Sequence, residues 1–200
     1  PMASTIWCGP KNHAVMYYMR GGKVLNFVGC VERPWEEESW TARKPWSELS
    51  ADYEGWHPMV RAPIEAADKD QCFRWALNNR KPVMTWCTSR VALLGDSVHA
   101  TLPYMAQGAA MAIEDAAILS RALLLDAPLQ DRLKVYEQHR APRAARVVNE
   151  STEMGELYHI ADAAEMKQAF KDRNIAASRN NWLYPYHPWT VDIERPFEGV

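Results

Sequence analysis

Neither a glycine-rich GxGxxG fingerprint nor a GxxxxGK[ST] phosphate loop occurs in these 200 residues. If the chain binds a nucleotide, the part that cradles the phosphates is not in it. Cysteine is sparse as well. The four residues at 8, 30, 72 and 87 form no CxxC pair, and the six histidines are scattered, so no metal site is expected. The cysteines read as reduced thiols of a cytoplasmic protein. An excess of charge is also lacking. With 23 basic and 25 acidic residues the formal net charge is -2, which removes any general electrostatic case for nucleic-acid or membrane-surface binding. No apolar run approaches the ~18 residues that span a bilayer. No signal peptide is read before Trp7, and no internal repeat or low-complexity stretch is present.

What remains is ordinary soluble-protein composition, 48% hydrophobic and 24% charged, with enough chain for one domain or parts of two. Nine Trp and thirteen Pro are many for this length. Aromatics at that density line a planar-ligand pocket or simply fill a core.

The chain opens on a predicted β-hairpin: His13 to Arg20, a two-residue Gly21-Gly22 turn, and a return strand from Lys23 to Glu32. Period two puts His13, Val15, Tyr17 and Met19 on one face. Neither face is clearly polar, so one side is expected to be covered and the other to line a cavity. Trp35 to Trp46 reads as a polar surface connection. Ser47 to Ala67 reads as helix divided by Pro58 and Pro63, with short strands at Gln71–Trp75 and Pro82–Trp86.

The most informative stretch runs from Arg90 to Ala117. Val91-Ala92-Leu93-Leu94 has the length of a strand buried on both faces, Gly95-Asp96 stops it, and after Gln107-Gly108 an Ala-rich helix begins. Open α/β proteins present ligands in this way, at the carboxyl end of a strand facing a helix N-terminus. The alternative is an ordinary strand-turn-helix with no ligand.

A second helix is predicted from Gln130 to Glu150, kinked at Pro142, with Arg140, Arg143 and Arg146 on a solvated face; an anion site is the other reading of that cluster. Helix resumes after a break near Gly155, and Asn181 to Trp189 forms an extended strap.

In their order along the chain, four pieces carry a family likeness. Trp7-Cys8-Gly9-Pro10 with His13, Tyr17 and Arg20-Gly21-Gly22 resembles a substrate-domain hairpin. Arg90 to His99 with Gly95-Asp96 resembles a second FAD signature, Pro103 with Gln107-Gly108 and Glu114-Asp115 a flavin-facing loop and helix, and Trp182-Leu183-Tyr184 a C-terminal strap. Together they resemble the C-terminal half of a class A FAD-dependent aromatic monooxygenase of the salicylate, 3-hydroxybenzoate and 6-hydroxynicotinate hydroxylase type. The family's N-terminal GxGxxG and middle Asp-Gly motif would lie upstream of Pro1, in the same or a separate chain.

The resemblance implies an α+β / α/β fold, the C-terminal part of a para-hydroxybenzoate hydroxylase-like flavoprotein. Residues 1–89 would belong to the substrate-binding sheet, 90–125 to the FAD domain and 126–200 to C-terminal helices and strap. It implies FAD as cofactor, NAD(P)H as co-substrate, and hydroxylation of a phenolic, carboxylated ring through a flavin C4a-hydroperoxide. Gly95, Asp96, Pro103, Gln107, Gly108 and Ala109 would contact the flavin, with Asp96 on the ribityl hydroxyls and Pro103 near the reacting edge. His13, with a pKa near the usual ~6.5, would take the substrate's proton while Tyr17 orients the ring and Tyr104 supplies a further polar contact. On pattern alone, His13 and Tyr17 are read first as satisfied polar residues of an alternating strand. His99 is read as structural, and Cys8 as a small buried hydrophobe. A small aromatic is the expected partner, nucleic acid and membrane are not, and a homodimer is left open. The second reading of function is a catalytically incomplete ligand-binding or interaction fragment.

Overall fold

A computed structural model describes residues 3–35, 37–174, 177, 181–195 and 197. The chain divides into two compact units, residues 1–77 with 158–166, and residues 78–157 with 167–200.

In the first unit, β1 (Thr5–Gly9), β2 (Asn12–Met19) and β3 (Val24–Val31) form an antiparallel sheet in the order β1-β2-β3. The hairpin is where the sequence placed it. Its turn is longer than predicted, because Met19 pairs with Val24 and leaves residues 20–23 as a four-residue loop with positive φ at Arg20, Gly21 and Gly22. β1 is an element the sequence reading lacked. Its register sets Trp7 opposite Ala14 and Cys8 opposite His13. The face bearing Ala14 and Met16 packs on Tyr53, Val60 and Ile64, with Trp7, Phe27 and Trp56 around them. Tyr53 and Trp56 come from the turn between α1 (Trp46–Asp52) and α2 (Pro58–Ala66), Val60 and Ile64 from α2, and Trp7 and Phe27 from the sheet itself. The Tyr53 hydroxyl donates to the His13 carbonyl at 2.8 Å, so its one polar atom is satisfied inside the core.

Pro58 opens α2 as its first residue, as the sequence implied, whereas Pro63 is absorbed inside the helix. The first of the two short predicted strands forms, as β5 (Phe73–Arg74) paired with β4 (Ala42–Arg43). No strand forms at Pro82–Trp86.

The second unit departs further from expectation. Val91 to Leu94 is not a regular strand: it makes one bridge, Cys87 with Ala92, within a turn closed by Leu93 N–H to Trp86 O at 2.9 Å. A strand needs ladder partners, and among the described residues this run has that neighbour alone. Val91 is accordingly 56% exposed. The one-turn α3 (Asp96–His99) follows, then α4 (Gly108–Leu123), α5 (Leu129–Tyr158) and α6 (Ala163–Arg173).

α5 continues through both Pro142 and Gly155, and the break predicted near 155 falls instead at 159–162. Gly155 serves close approach: a Cβ there would lie 2.6 Å from Cε2 of Tyr104. The tail is a series of turns, not an extended strap, with Trp182 and Leu183 buried. No helix among the described residues is long and apolar enough to cross a membrane.

Candidate flavin and substrate residues

The proposed site residues fall into both units: His13 and Tyr17 in the first, the others in the second.

In the second unit the Gly95-Asp96 turn is built with strain. Gly95 has φ 61° and ψ -146°, a region only glycine enters readily, and its carbonyl accepts from Val98 and His99 to open α3. Its N–H donates to Oδ2 of Asp115 at 2.9 Å, from the second turn of α4. The same oxygen meets Nε2 of His99 at 2.5 Å. One buried carboxylate thus fixes both ends of α3 and turns Asp96 outward, where its side chain is exposed and has no hydrogen-bond or ion-pair partner among the described residues. His99 is buried and structural in its contacts, as its position implied.

The loop that follows carries Pro103, exposed, and Tyr104, half-buried, in a short 3-10 turn that ends at Ala106 with φ 54°. Gln107 then begins α4 without a side-chain cap; its amide donates instead to Met105 O at 3.4 Å. The first N–H groups of α4, at the half-buried Gly108 and the exposed Ala109, therefore lack a side-chain acceptor from the N-cap residue. An exposed carboxylate and an uncapped helix N-terminus, both fixed by α4, fit the hydroxyls and the electron-poor ring of a flavin.

The arginine cluster is not a solvated face. Arg140 and Arg143 are fully buried. Arg140 donates from Nε to Asp115 Oδ1 at 2.8 Å and pairs through Nη1 with Glu114 at 2.8 Å. Arg143 grips both oxygens of Glu114, at 2.9 and 2.8 Å, and donates to the carbonyls of Trp182 and Leu183. Its guanidinium lies 3.9 Å from the Tyr186 ring centroid. Arg146, half-buried, pairs with Glu150 and stacks on Trp182. Carboxylates already occupy Arg140 and Arg143, so no free anion site remains there.

Burial alone would raise the carboxyl pKa of Asp115. The His99 hydrogen bond, the Arg140 charge and the Gly95 N–H outweigh it and hold the group below the usual range. Glu114-Asp115 stands out in the sequence, but its pairing with the arginines does not. The signal was there: 114 and 115 fall between Met111 and Ile118 on the buried stripe of α4, with basic residues three apart on the next helix.

In the first unit His13 and Tyr17 do share a face of β2, but their surroundings differ. His13 is fully buried under Tyr158 and His159, while Tyr17 is 37% exposed. Nδ1 of His13 meets Nε2 of His159 at 2.8 Å. The ordinary pKa assumed from the sequence does not hold, because burial and the neighbouring His159 lower it to about 4. His159 and Glu32, whose Oε1 is 2.5 Å from Nδ1 of His159, were not singled out from sequence. They lie 127 residues apart, and no local pattern joins them. Cys8 is half-buried, and burial raises its thiol pKa to about 11, which fits a small neutral side chain.

A mixed α and β scaffold sets the Gly95-Asp96 turn against an uncapped helix N-terminus, an arrangement that can receive a flavin. The FAD binding domain family matches residues 5–151, and the chain belongs to it. The fold is part of a para-hydroxybenzoate hydroxylase-like flavoprotein.

A 3-hydroxybenzoate 6-hydroxylase of Klebsiella oxytoca is 38% identical over 161 residues, covering 80% of this chain and 40% of that protein. Salicylate hydroxylase of Pseudomonas putida is 31% identical over 201 residues, covering 94% and 44%. The solved structure of a salicylate hydroxylase substrate complex superposes with a TM-score of 0.76 at 26% identity, covering 93% of this chain and 47% of that one. The chain thus spans somewhat under half the length of these three proteins.

Proposed function

We propose that this chain supplies the flavin-ring and substrate contacts of an FAD- and NAD(P)H-dependent hydroxylase of a phenolic, carboxylated ring. One observation carries the reading: Asp115 ties the turn bearing the exposed Asp96 carboxylate to α4, whose N-terminus is uncapped, inside the stretch that matches the FAD-binding family. The activities of the relatives, on 3-hydroxybenzoate and salicylate, support the substrate class.

FAD, when bound, supplies the oxygen chemistry, with a reduced nicotinamide as electron source. The protein's part is to hold and orient. Asp96 accepts from ribityl hydroxyls. The N–H groups at Gly108 and Ala109, with the α4 dipole behind them, stabilise negative charge on the flavin pyrimidine. Pro103 and Gln107 complete the ring contacts, and Gly95 keeps the turn clear of side chain. Tyr104 and Tyr17 orient the substrate, and His13 receives its hydroxyl proton.

Riboflavin and lumiflavin test this reading, because they carry the ring end of FAD without the adenine end. Riboflavin fluorescence should be quenched on titration with the chain, and Asp96→Ala should weaken riboflavin binding to the level of lumiflavin, which has no ribityl hydroxyls. The flavin-loaded protein should oxidise NADH or NADPH faster when 3-hydroxybenzoate or salicylate is added. A chain that quenches neither flavin would fit a ligand-binding or interaction fragment instead and would sink the proposal.

A further inference from the structure

We propose that Ser151 and Gly155 of α5 are positioning residues for the flavin ring, seating the loop that carries Pro103 and leads into α4. The proposal rests on the flavin reading above, and all of its residues lie in the second unit. Residues four apart share one face of a helix, and here that face meets the loop twice. Ser151, fully buried, donates from Oγ to Leu102 O at 2.6 Å. At Gly155 the Tyr104 ring fills the space where a side chain would begin: a Cβ would lie 2.6 Å from Cε2 and 3.0 Å from Cδ2.

Pro103 stands between these two attachments. Leu102 and Tyr104 are half-buried on either side of it and Met105 is buried, while Pro103 and Ala106 are exposed. The flanking residues are held, so the one between them is presented at a fixed place. The loop then closes on itself, with Ala106 N–H donating to Pro103 O at 2.9 Å and Gln107 Nε2 to Met105 O at 3.4 Å. Through those bonds the seat on α5 extends to the uncapped first turn at Gly108 and Ala109.

Glycine is a costly choice at this point. It is the poorest helix former after proline, and position 155 lies inside a 30-residue helix. Alanine would suit the helix better but would meet the ring. Carbon atoms in contact stand about 3.5–4.0 Å apart, so a methyl at 155 displaces the Tyr104 ring by roughly 1 Å. Pro103, its chain neighbour, moves with it.

This seat is separate from the hold that Asp115 has on the Gly95-Asp96 turn. Asp115 is bound to α5 through Arg140, about three turns before Ser151 and so roughly 16 Å along the helix. Sites that far apart respond independently to substitution. α5 thus carries two holds on one ligand, the first on the ribityl contact Asp96 and the second on the ring contacts at Pro103 and the start of α4.

Two flavins separate the holds, because riboflavin has ribityl hydroxyls and lumiflavin has none. At a temperature where helical circular dichroism matches the wild type, Gly155→Ala should weaken lumiflavin and riboflavin alike, by about tenfold, and leave the ratio of their affinities unchanged. Ser151→Ala should act in the same direction. Asp96→Ala should do the reverse, abolishing the ratio while keeping lumiflavin affinity. In a Tyr104→Leu background Gly155→Ala should have little further effect, since the smaller side chain leaves room for the methyl. Amide hydrogen exchange of the flavin-free chain gives a second reading: Gly155→Ala should speed exchange at Ala106 and leave Gly95 as it was. Wild-type lumiflavin affinity in both folded variants, unchanged exchange at Ala106, or a loss that persists in full in the Tyr104→Leu background would overturn the positioning role while leaving the flavin reading intact. A wild-type chain that quenches neither flavin refutes the flavin reading, and the positioning role falls with it.

Discussion

Replacing Asp115 by Asn keeps the shape of the side chain and removes one charge from a cluster of two arginines and two carboxylates. In the wild type the two arginines face two carboxylates, and in the variant Arg140 and Arg143 are left against Glu114 alone. Three donors also converge on Asp115: Gly95 N–H at 2.9 Å, His99 Nε2 at 2.5 Å and Arg140 Nε at 2.8 Å. An amide offers one oxygen, so one of these donors meets an NH₂. Breaking a buried pair in this way costs about 3–5 kcal/mol. At ~2–4 °C per kcal/mol that is a fall in Tm of roughly 6–20 °C.

The pH dependence has a definite sign. The Asp115 pKa is lowered in the folded protein, so its stabilisation is complete above the unfolded value of about 4 and is lost as pH falls through the lower folded value. The gap between wild type and Asp115→Asn should therefore narrow below about pH 4. Thermal unfolding followed by helical circular dichroism, repeated between pH 3 and 7, reads both effects. A shift under about 2 °C with parallel acid limbs would show that the cluster does not hold the turn.

Gly155→Ala should destabilise by about 1–3 kcal/mol, because the new methyl would sit 2.6 Å from the Tyr104 ring. Chemical denaturation should show most of that loss recovered when Tyr104→Leu is added. His13 makes the opposite pH prediction to a salt-bridged histidine. Its folded pKa, about 4, lies below the ordinary 6.5, so the unfolded chain binds more protons between those values. Urea midpoints should rise from pH 4 to 6.5 and level off above, and His13→Asn should flatten that rise.

Local grammar was legible and long-range pairing was not. Alternation and two glycines located the hairpin, and Pro58 marked a helix start, because those signals act within a few residues. Val91 to Leu94 has a strand's composition, but a strand also needs neighbours, and only the Cys87 bridge is present among the described residues. Arg140 and Arg143 were read as exposed because arginine usually is; their burial follows from carboxylates 25 and 29 residues away. Gly155 looked like a helix break on propensity alone, yet its use is to admit the Tyr104 ring. Of the proposed site residues, Asp96 and the start of α4 stand out locally in the sequence, while Asp115, which ties the Gly95-Asp96 turn to α4, does not.

The grip of Arg143 on the Trp182 and Leu183 carbonyls has a consequence for synthesis. The acceptors lie 39 and 40 residues beyond the arginine, so α4 and α5 leave the ribosome well before the groups that complete their ionic core. At ~5–20 residues per second, that is a wait of roughly 2–8 s with a guanidinium short of two acceptors. During that interval the helix pair is open to chaperones, to proteases and to other nascent chains, and arrival of the tail ends it.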